Sequence, residues 1–261
     1  MLIHYLRLAI RNLTKRWFHS LINILGLGFG IACCILIFIY VKHERSFDAF
    51  VEDDHLVYRV MSRHVMASGD VGFSVLQPNE IVEGFKEDIP GVAFSTAFRK
   101  TPVWIGYGEK KLRETVGFAD LDFFEIFSHT FIAGNKESAL KNLYGVVLTR
   151  TAADKFFGDS IPEYSDMIGE ILEFPQRMPN LFKVTAIIED VPENASLQFD
   201  VVLNILNCVH YPRSNNAFGA NSVYVKLSEE SDPEESVHTA NALIEKYRGQ
   251  LIQDNIHFGT L

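Results

Sequence analysis

Residues 21–41 contain no Asp, Glu, Lys or Arg. The run is Leu21-Ile-Asn-Ile-Leu-Gly-Leu-Gly-Phe-Gly-Ile-Ala-Cys-Cys-Ile-Leu-Ile-Phe-Ile-Tyr-Val41. At about 1.5 Å per residue, a helix of that length covers about 30 Å, the hydrocarbon thickness of a bilayer. Its one strongly polar side chain, Asn23, stands near the start, within reach of the headgroups. A buried helix of a soluble protein would be shorter and would carry a polar side. A cleaved signal peptide would place small residues where Tyr40-Val-Lys-His-Glu44 follows. A lipoprotein signal at Ile31-Ala-Cys33 fails because the apolar run continues past the cysteine. The stripe is therefore read as a transmembrane helix over 21–41.

The flanks differ sharply in charge. Residues 1–20 hold Arg7, Arg11, Lys15 and Arg16 and no acid, whereas 42–261 hold 20 basic and 33 acidic residues. Lys and Arg beside a span stay on the cytoplasmic side, so the N-terminus is expected inside and 42–261 outside. Leu2, Leu6, Ala9, Leu13 and Trp17 recur at helical spacing, with Arg7, Arg11 and Lys15 four apart on another side. That pattern predicts a basic amphipathic helix over 1–20 lying on the inner surface against membrane lipid, with Trp17 near the headgroups; the plainer reading is an ordinary positive-inside anchor. Within the span, Gly26 and Gly30 stand one turn apart with Cys34 on the next. Such a track permits close helix–helix packing, although glycine is also simply common in membrane helices. Cys33 and Cys34 fall in the span, which leaves Cys208 alone outside and no internal disulfide in the body.

The full chain has the 48% hydrophobic and 22% charged make-up of a folded protein, which excludes wholesale disorder. A net charge of −9 argues against a nucleic-acid partner. Strands and helices alternate. Strands are expected at 56–61, 92–107, 112–119, 145–148, 181–189, 197–206 and 222–227. Helices are expected at 77–89, from Asp122, at 150–157 with Thr149 as N-cap and Gly158 as stop, and from Asp232 to Gly249 with Val237, Ala240, Ile244 and Tyr247 on one face. The fold class is α+β: one N-terminal transmembrane helix followed by a mixed α/β domain. Most of the chain's 21 phenylalanines sit at core-facing spacing and are expected in the core.

No catalytic pattern emerges. There is no phosphate-cradling Gly-x-x-x-x-Gly-Lys-Ser/Thr loop. His43-Glu44 opens a zinc-peptidase pattern, but Phe47 stands where the second histidine belongs. Gly72-Phe-Ser74 opens a nucleophile elbow that closes on Leu76 rather than glycine. Asp120-Leu-Asp122 lacks the rest of a calcium loop, and Cys208 with His210 has no partner pair. No enzyme activity, metal or cofactor is expected of this chain.

Several segments, taken in order, carry a family resemblance. Arg7-Leu-Ala-Ile-Arg-Asn-Leu, Lys15-Arg16 and Asn23-Ile-Leu-Gly-Leu-Gly-Phe-Gly open the chain. Ser46-Phe-Asp48 and Val57-Tyr-Arg-Val60 follow the span. Phe123-Phe-Glu-Ile-Phe127 with Gly134, Gly145-Val-Val-Leu-Thr149, Ala153-Asp-Lys-Phe-Phe-Gly-Asp159 and Phe182-Lys-Val-Thr-Ala-Ile-Ile-Glu-Asp-Val-Pro-Glu-Asn194 lie in the body. Together they resemble ABC transporter permeases of the MacB/FtsX type. The resemblance implies a periplasmic MacB-like core domain behind one inner-membrane helix, a dimer, and a cytoplasmic ABC ATPase whose nucleotide cycle moves the helices and, through them, the periplasmic domains. It also implies efflux-type partners: a periplasmic adaptor and an outer-membrane channel. Two departures stand out. Asp166-Met-Ile-Gly-Glu170 replaces the usual Pro-Ile-Gly-Lys, and the sequence ends at Leu261 where relatives continue into three further transmembrane helices. The chain is read as a fragment, a split gene's first half or a truncated paralogue, with a second permease copy or the polypeptide carrying the missing helices as an expected partner. The rival reading is a signal-anchored periplasmic sensing or ligand-binding module that works without an ATPase.

Overall fold

A computed structural model describes residues 4, 11, 15, 17–65, 69–77, 85, 88–175, 180–208, 221–248 and 255–260. The chain falls into two compact units, Met1–Phe47 and Asp48–Leu261.

The first unit is built on helix α1, Trp17–Glu44, 28 residues with none buried. The charge-free run is its central part, so the helix extends beyond the expected 21–41 at both ends. Leu, Ile and Phe side chains stand exposed along it, long and apolar enough to cross a membrane. The Ser46 N–H donates to the His43 carbonyl at 3.0 Å, and the Ser46 hydroxyl donates to the same oxygen at 2.7 Å, turning the chain out of the helix.

Among its described residues, the second unit is one twelve-stranded sheet with helices of 4 to 16 residues. In chain order its strands are β1 Val57–Val65, β2 Val71–Ser74, β3 Leu76–Gln77, β4 Val92–Tyr107, β5 Lys110–Ala119, β6 Phe131–Ala133, β7 Gly145–Thr149, β8 Ile171–Glu173, β9 Leu181–Ile188, β10 Val201–Asn204, β11 Asn221–Leu227 and β12 Asn255–Thr260. The helices are α2 Phe123–Ile126, α3 Lys136–Ala139, α4 Arg150–Phe157, α5 Tyr164–Met167 and α6 Pro233–Arg248. The sheet runs β12-β1-β11-β4-β5-β10-β7-β9-β6. Strand β4 is 16 residues long and serves two neighbourhoods. Its first half pairs with β11, and its second half forms a long hairpin with β5. Because β8 pairs with both β9 and Gly106 of β4, the strands β4, β5, β10, β7, β9 and β8 close into a ring. The β5–β10 and β7–β9 pairs are parallel and the other pairs of the ring antiparallel.

Alternation along the strands divides the core in two, since successive side chains face opposite sides of a sheet. Val146 and Leu148 of β7, Val201 and Leu203 of β10, and Val116 and Phe118 of β5 share one cluster, which α4 caps with Phe156 and Phe157. Val147 and Val202 face the other cluster, which is rich in phenylalanine: Phe98, Phe123, Phe124, Phe127 and Phe199. Phe98 stacks on Phe123 with ring centroids 5.5 Å apart, so α2 is seated on the sheet by aromatic packing.

Several sequence expectations meet specific changes here. Gln77 is a residue of β3 rather than the start of a helix. Phe85 and Asp88 are helical, and most of the remaining 77–89 segment lies outside the described residues. The expected 197–206 strand is shortened to four residues, because 205–207 form a 3-10 turn in which the Asn204 side chain accepts from the Leu206 N–H. Asp122 precedes α2 without making the side-chain cap bond, whereas Thr149 does cap α4 and accepts from the Ala152 N–H. Gly158 adopts φ +51°, as a helix stop requires. The side chains of Ile244 and Tyr247, with Gly249 and His210, lie outside the described residues. Cys208 is buried just after the 3-10 turn.

Candidate functional site

Residues singled out for the membrane lie on or before α1. Arg11 and Lys15 have helical backbone and exposed side chains, while Arg7 and Arg16 lie outside the described residues. Trp17 is the first residue of α1 itself, with its ring edge-on to Phe18 at 5.8 Å. The helix therefore continues unbroken from Trp17 into the charge-free run. Gly26 and Gly30 sit on one face of α1 with Leu27, Ile31, Cys34, Ile35 and Phe38 along a shallow groove. A Cβ added at Gly26, Gly28 or Gly30 would meet nothing within 4 Å. The groove is thus open, and a neighbouring helix could approach the backbone there.

The second unit begins with a clasp. Asp48 is its first residue, is 5% exposed, and holds the left-handed conformation at φ +55°. Its carboxylate accepts from the Ser196 N–H at 2.8 Å and from the Ser196 hydroxyl at 2.5 Å. Its own N–H donates to the Asn194 carbonyl at 3.0 Å. Three hydrogen bonds therefore tie the first residue of the body to the loop joining β9 to β10. That loop is braced in turn: the Gln198 amide donates to the carbonyls of Pro192, at 2.6 Å, and Ala195, at 3.0 Å. Val51 is buried three residues on. Lys226 of β11 donates to the Asp53 carboxylate at 3.0 Å and to the Glu52 carbonyl. Asp53 also takes positive φ, +58°. The segment 48–53 is fixed at both ends and in its middle, with no slack of the kind a linker has.

Beside the clasp lies a cleft of about 410 Å³ whose walls include Phe50, Glu52, Phe124, His129, Asp190 and Pro192. His129 sits among Phe50, Phe123, Phe124 and Phe199, with ring centroids 5.6–6.0 Å away. Desolvation by those rings lowers its pKa to about 4, so the imidazole is neutral near pH 7. At the rim, Lys136 closes on Glu125 at 2.6 Å and Arg150 closes on Glu189. Asp190 accepts from the N–H and hydroxyl of Thr151, in the first turn of α4.

Among the described residues no group of three or more His, Cys, Asp or Glu could hold a metal ion. The clasp and the His129 nest were not singled out as sites from the sequence. Asp48 and Ser196 are 148 positions apart, and no local periodicity links residues at that separation. A partial signal did exist, because the Ser46-Phe-Asp48 and Pro192-Glu-Asn segments both belong to the family-like motifs.

Comparison with known proteins gives a consistent result. The family model described as the MacB-like periplasmic core domain matches residues 20–243. No curated protein matches the sequence. Among solved structures, the chain is similar to a domain of a putative permease protein from Porphyromonas gingivalis, with a TM-score of 0.65 at 18% identity, covering 80% of this chain and 91% of that one. It is also similar to the extracellular domain of the noncanonic ABC-type transporter YknZ from Gram-positive bacteria, with a TM-score of 0.55 at 12% identity, covering 77% and 99%. The periplasmic region of MacB from Actinobacillus actinomycetemcomitans aligns with a TM-score of 0.52 at 11% identity, covering 79% and 92%. At these identities the structures speak for the fold, and the family model speaks for the lineage. The chain belongs to the MacB-like periplasmic core domain family, a component of ABC-type transporter permeases.

Proposed function

We propose that this chain is a permease subunit of a MacB/FtsX-type ABC exporter, acting as a mechanical coupler. In this reading residues 1–20 lie at the cytoplasmic face, 21–41 cross the inner membrane, and 42–261 work in the periplasm. A cytoplasmic ABC ATPase supplies the energy, and the groove at Gly26 and Gly30 receives a neighbouring permease helix, such as one of a second permease copy. A periplasmic adaptor and an outer-membrane channel complete the path for efflux.

The observation that carries the reading is the clasp. A displacement of the chain at Phe47 passes through one peptide bond to Asp48, and from there to the β9–β10 loop through three hydrogen bonds. A flexible linker would dissipate such a displacement, whereas this segment hands it on. The test is affinity purification of the tagged full chain from native membranes, with mass spectrometry of what accompanies it. Recovery of an ABC ATPase is the expected result. Recovery of a signalling kinase or regulator in its place would favour the anchored sensing module.

A further inference from the structure

We propose that the cleft beside the clasp is a binding site for a compact organic monocation of about amino-acid size that carries a ring. Its volume of about 410 Å³ lies at the small end of ligand pockets. The floor is aromatic: Phe50 and Phe124 flank His129 at 5.8 and 5.7 Å. Phe124 is buried, so the half-buried Phe50 ring is the one that can offer its negative face to a cation rather than an anion. The imidazole between them is neutral near pH 7, so no positive charge opposes the ligand from the floor. His129 makes no hydrogen bond within the described residues, and its ring nitrogens remain available to a ligand.

The rim gives the charge preference. Lys136 is neutralised by Glu125, and Glu189 by Arg150. Asp190 accepts from Thr151 and also interacts electrostatically with Lys155, whereas the Glu52 carboxylate has no cation partner among the described residues. The Glu52 carboxylate is thus left uncompensated over an aromatic floor, with Ser128 and Thr130 lining the same opening. An ammonium group can donate to Glu52 and to a hydroxyl while the ligand's ring packs on Phe50. A carboxylate ligand would meet like charge, and a neutral hydrocarbon would strand the polar rim.

The site is also pre-shaped. The Asp48 clasp and the Lys226 contact hold Phe50 and Glu52, and Thr151 holds Asp190, so little ordering is needed on binding.

The test uses the full chain in nanodiscs and 2-phenylethylamine as the probe, with phenylacetate as the charge-reversed control and empty nanodiscs to subtract partitioning. Calorimetric titration should give saturable 2-phenylethylamine binding with Kd of roughly 0.1–1 mM and no phenylacetate binding. Glu52→Gln, at an exposed position that should leave the fold intact, should weaken binding about fivefold to tenfold. Phe50→Leu, which keeps the apolar contact and removes the ring face, should weaken it by about the same factor. Absence of saturable binding to the wild-type chain overturns the proposal. So does phenylacetate binding as tightly as the amine, or an affinity unchanged by Glu52→Gln. Because no ATPase is needed, these outcomes leave the permease reading to its own test.

Discussion

Gly134 shows how far a single hydrogen atom is used in this body. It holds φ +80°, and a Cβ added there would stand 2.5 Å from the Thr185 carbonyl oxygen and 2.9 Å from the Ala186 Cα. Both are backbone atoms of β9, so neither can swing away. Gly134→Ala should therefore cost about 3 kcal/mol or more, read as a lowered denaturation midpoint with an unchanged slope. His129 gives the second residue-scale prediction. In the unfolded chain its imidazole takes up a proton near pH 6.5, and in the folded chain only near pH 4. Between those values the unfolded state binds more protons. This contribution is therefore fully present above pH 6.5, is lost as pH falls through the window, and levels off below 4. After allowance for the ring's partial solvent contact, the loss is about 2 kcal/mol. Denaturation at pH 7 and at pH 4.5 should show this acid weakening in the wild type and a smaller one in His129→Phe.

At the scale of elements, the clasp and the membrane helix each make a separate claim. Asp48→Ala removes two accepted hydrogen bonds and places a β-carbon without a polar group at φ +55°. It should cost about 2–3 kcal/mol by chemical denaturation. Asp48→Asn, which tolerates the left-handed conformation and keeps one acceptor, should cost about 1 kcal/mol. In α1, Gly30→Ile fills the groove that Gly26 and Gly30 leave open. If a second helix docks there, disulfide or photo-crosslinking yield between α1 and its neighbour should fall about tenfold in membranes, while Ile31→Val leaves it unchanged. Elements with a local signature were legible in the sequence. The charge-free run announced α1, Thr149 and Gly158 bracketed α4, and the β-rich stretches 92–107 and 112–119 announced β4 and β5. What stayed hidden was set by partners distant in sequence. Ile171–Glu173 is a three-residue strand fixed only by its pairing with β9 and Gly106, and Leu76–Gln77 is a strand because β11 lies beside it. In 197–206 the apolar run promised a longer strand than formed, since the Asn204 side chain took over the Leu206 N–H and turned the chain.

At the scale of the whole molecule, the mixed α/β body behind one apolar N-terminal helix was expected from pattern, and the family match over residues 20–243 agrees with it. The closure of six strands into a ring was not expected, because closure is a property of the β4–β8 contact and of no single segment. In the proposed reading, displacement enters this body at one point. Segment 48–53 is riveted to the β9–β10 loop and to β11, which sit on different parts of the sheet. The measurement that tests coupling most directly is hydrogen–deuterium exchange on the full chain, co-purified with the proposed ATPase in nanodiscs, comparing the nucleotide-free state with the vanadate-trapped state. The account predicts altered exchange in 48–53 and 194–198 together, and loss of the change at 194–198 in Asp48→Ala. Exchange in both segments that is indifferent to nucleotide while the ATPase turns over would contradict it.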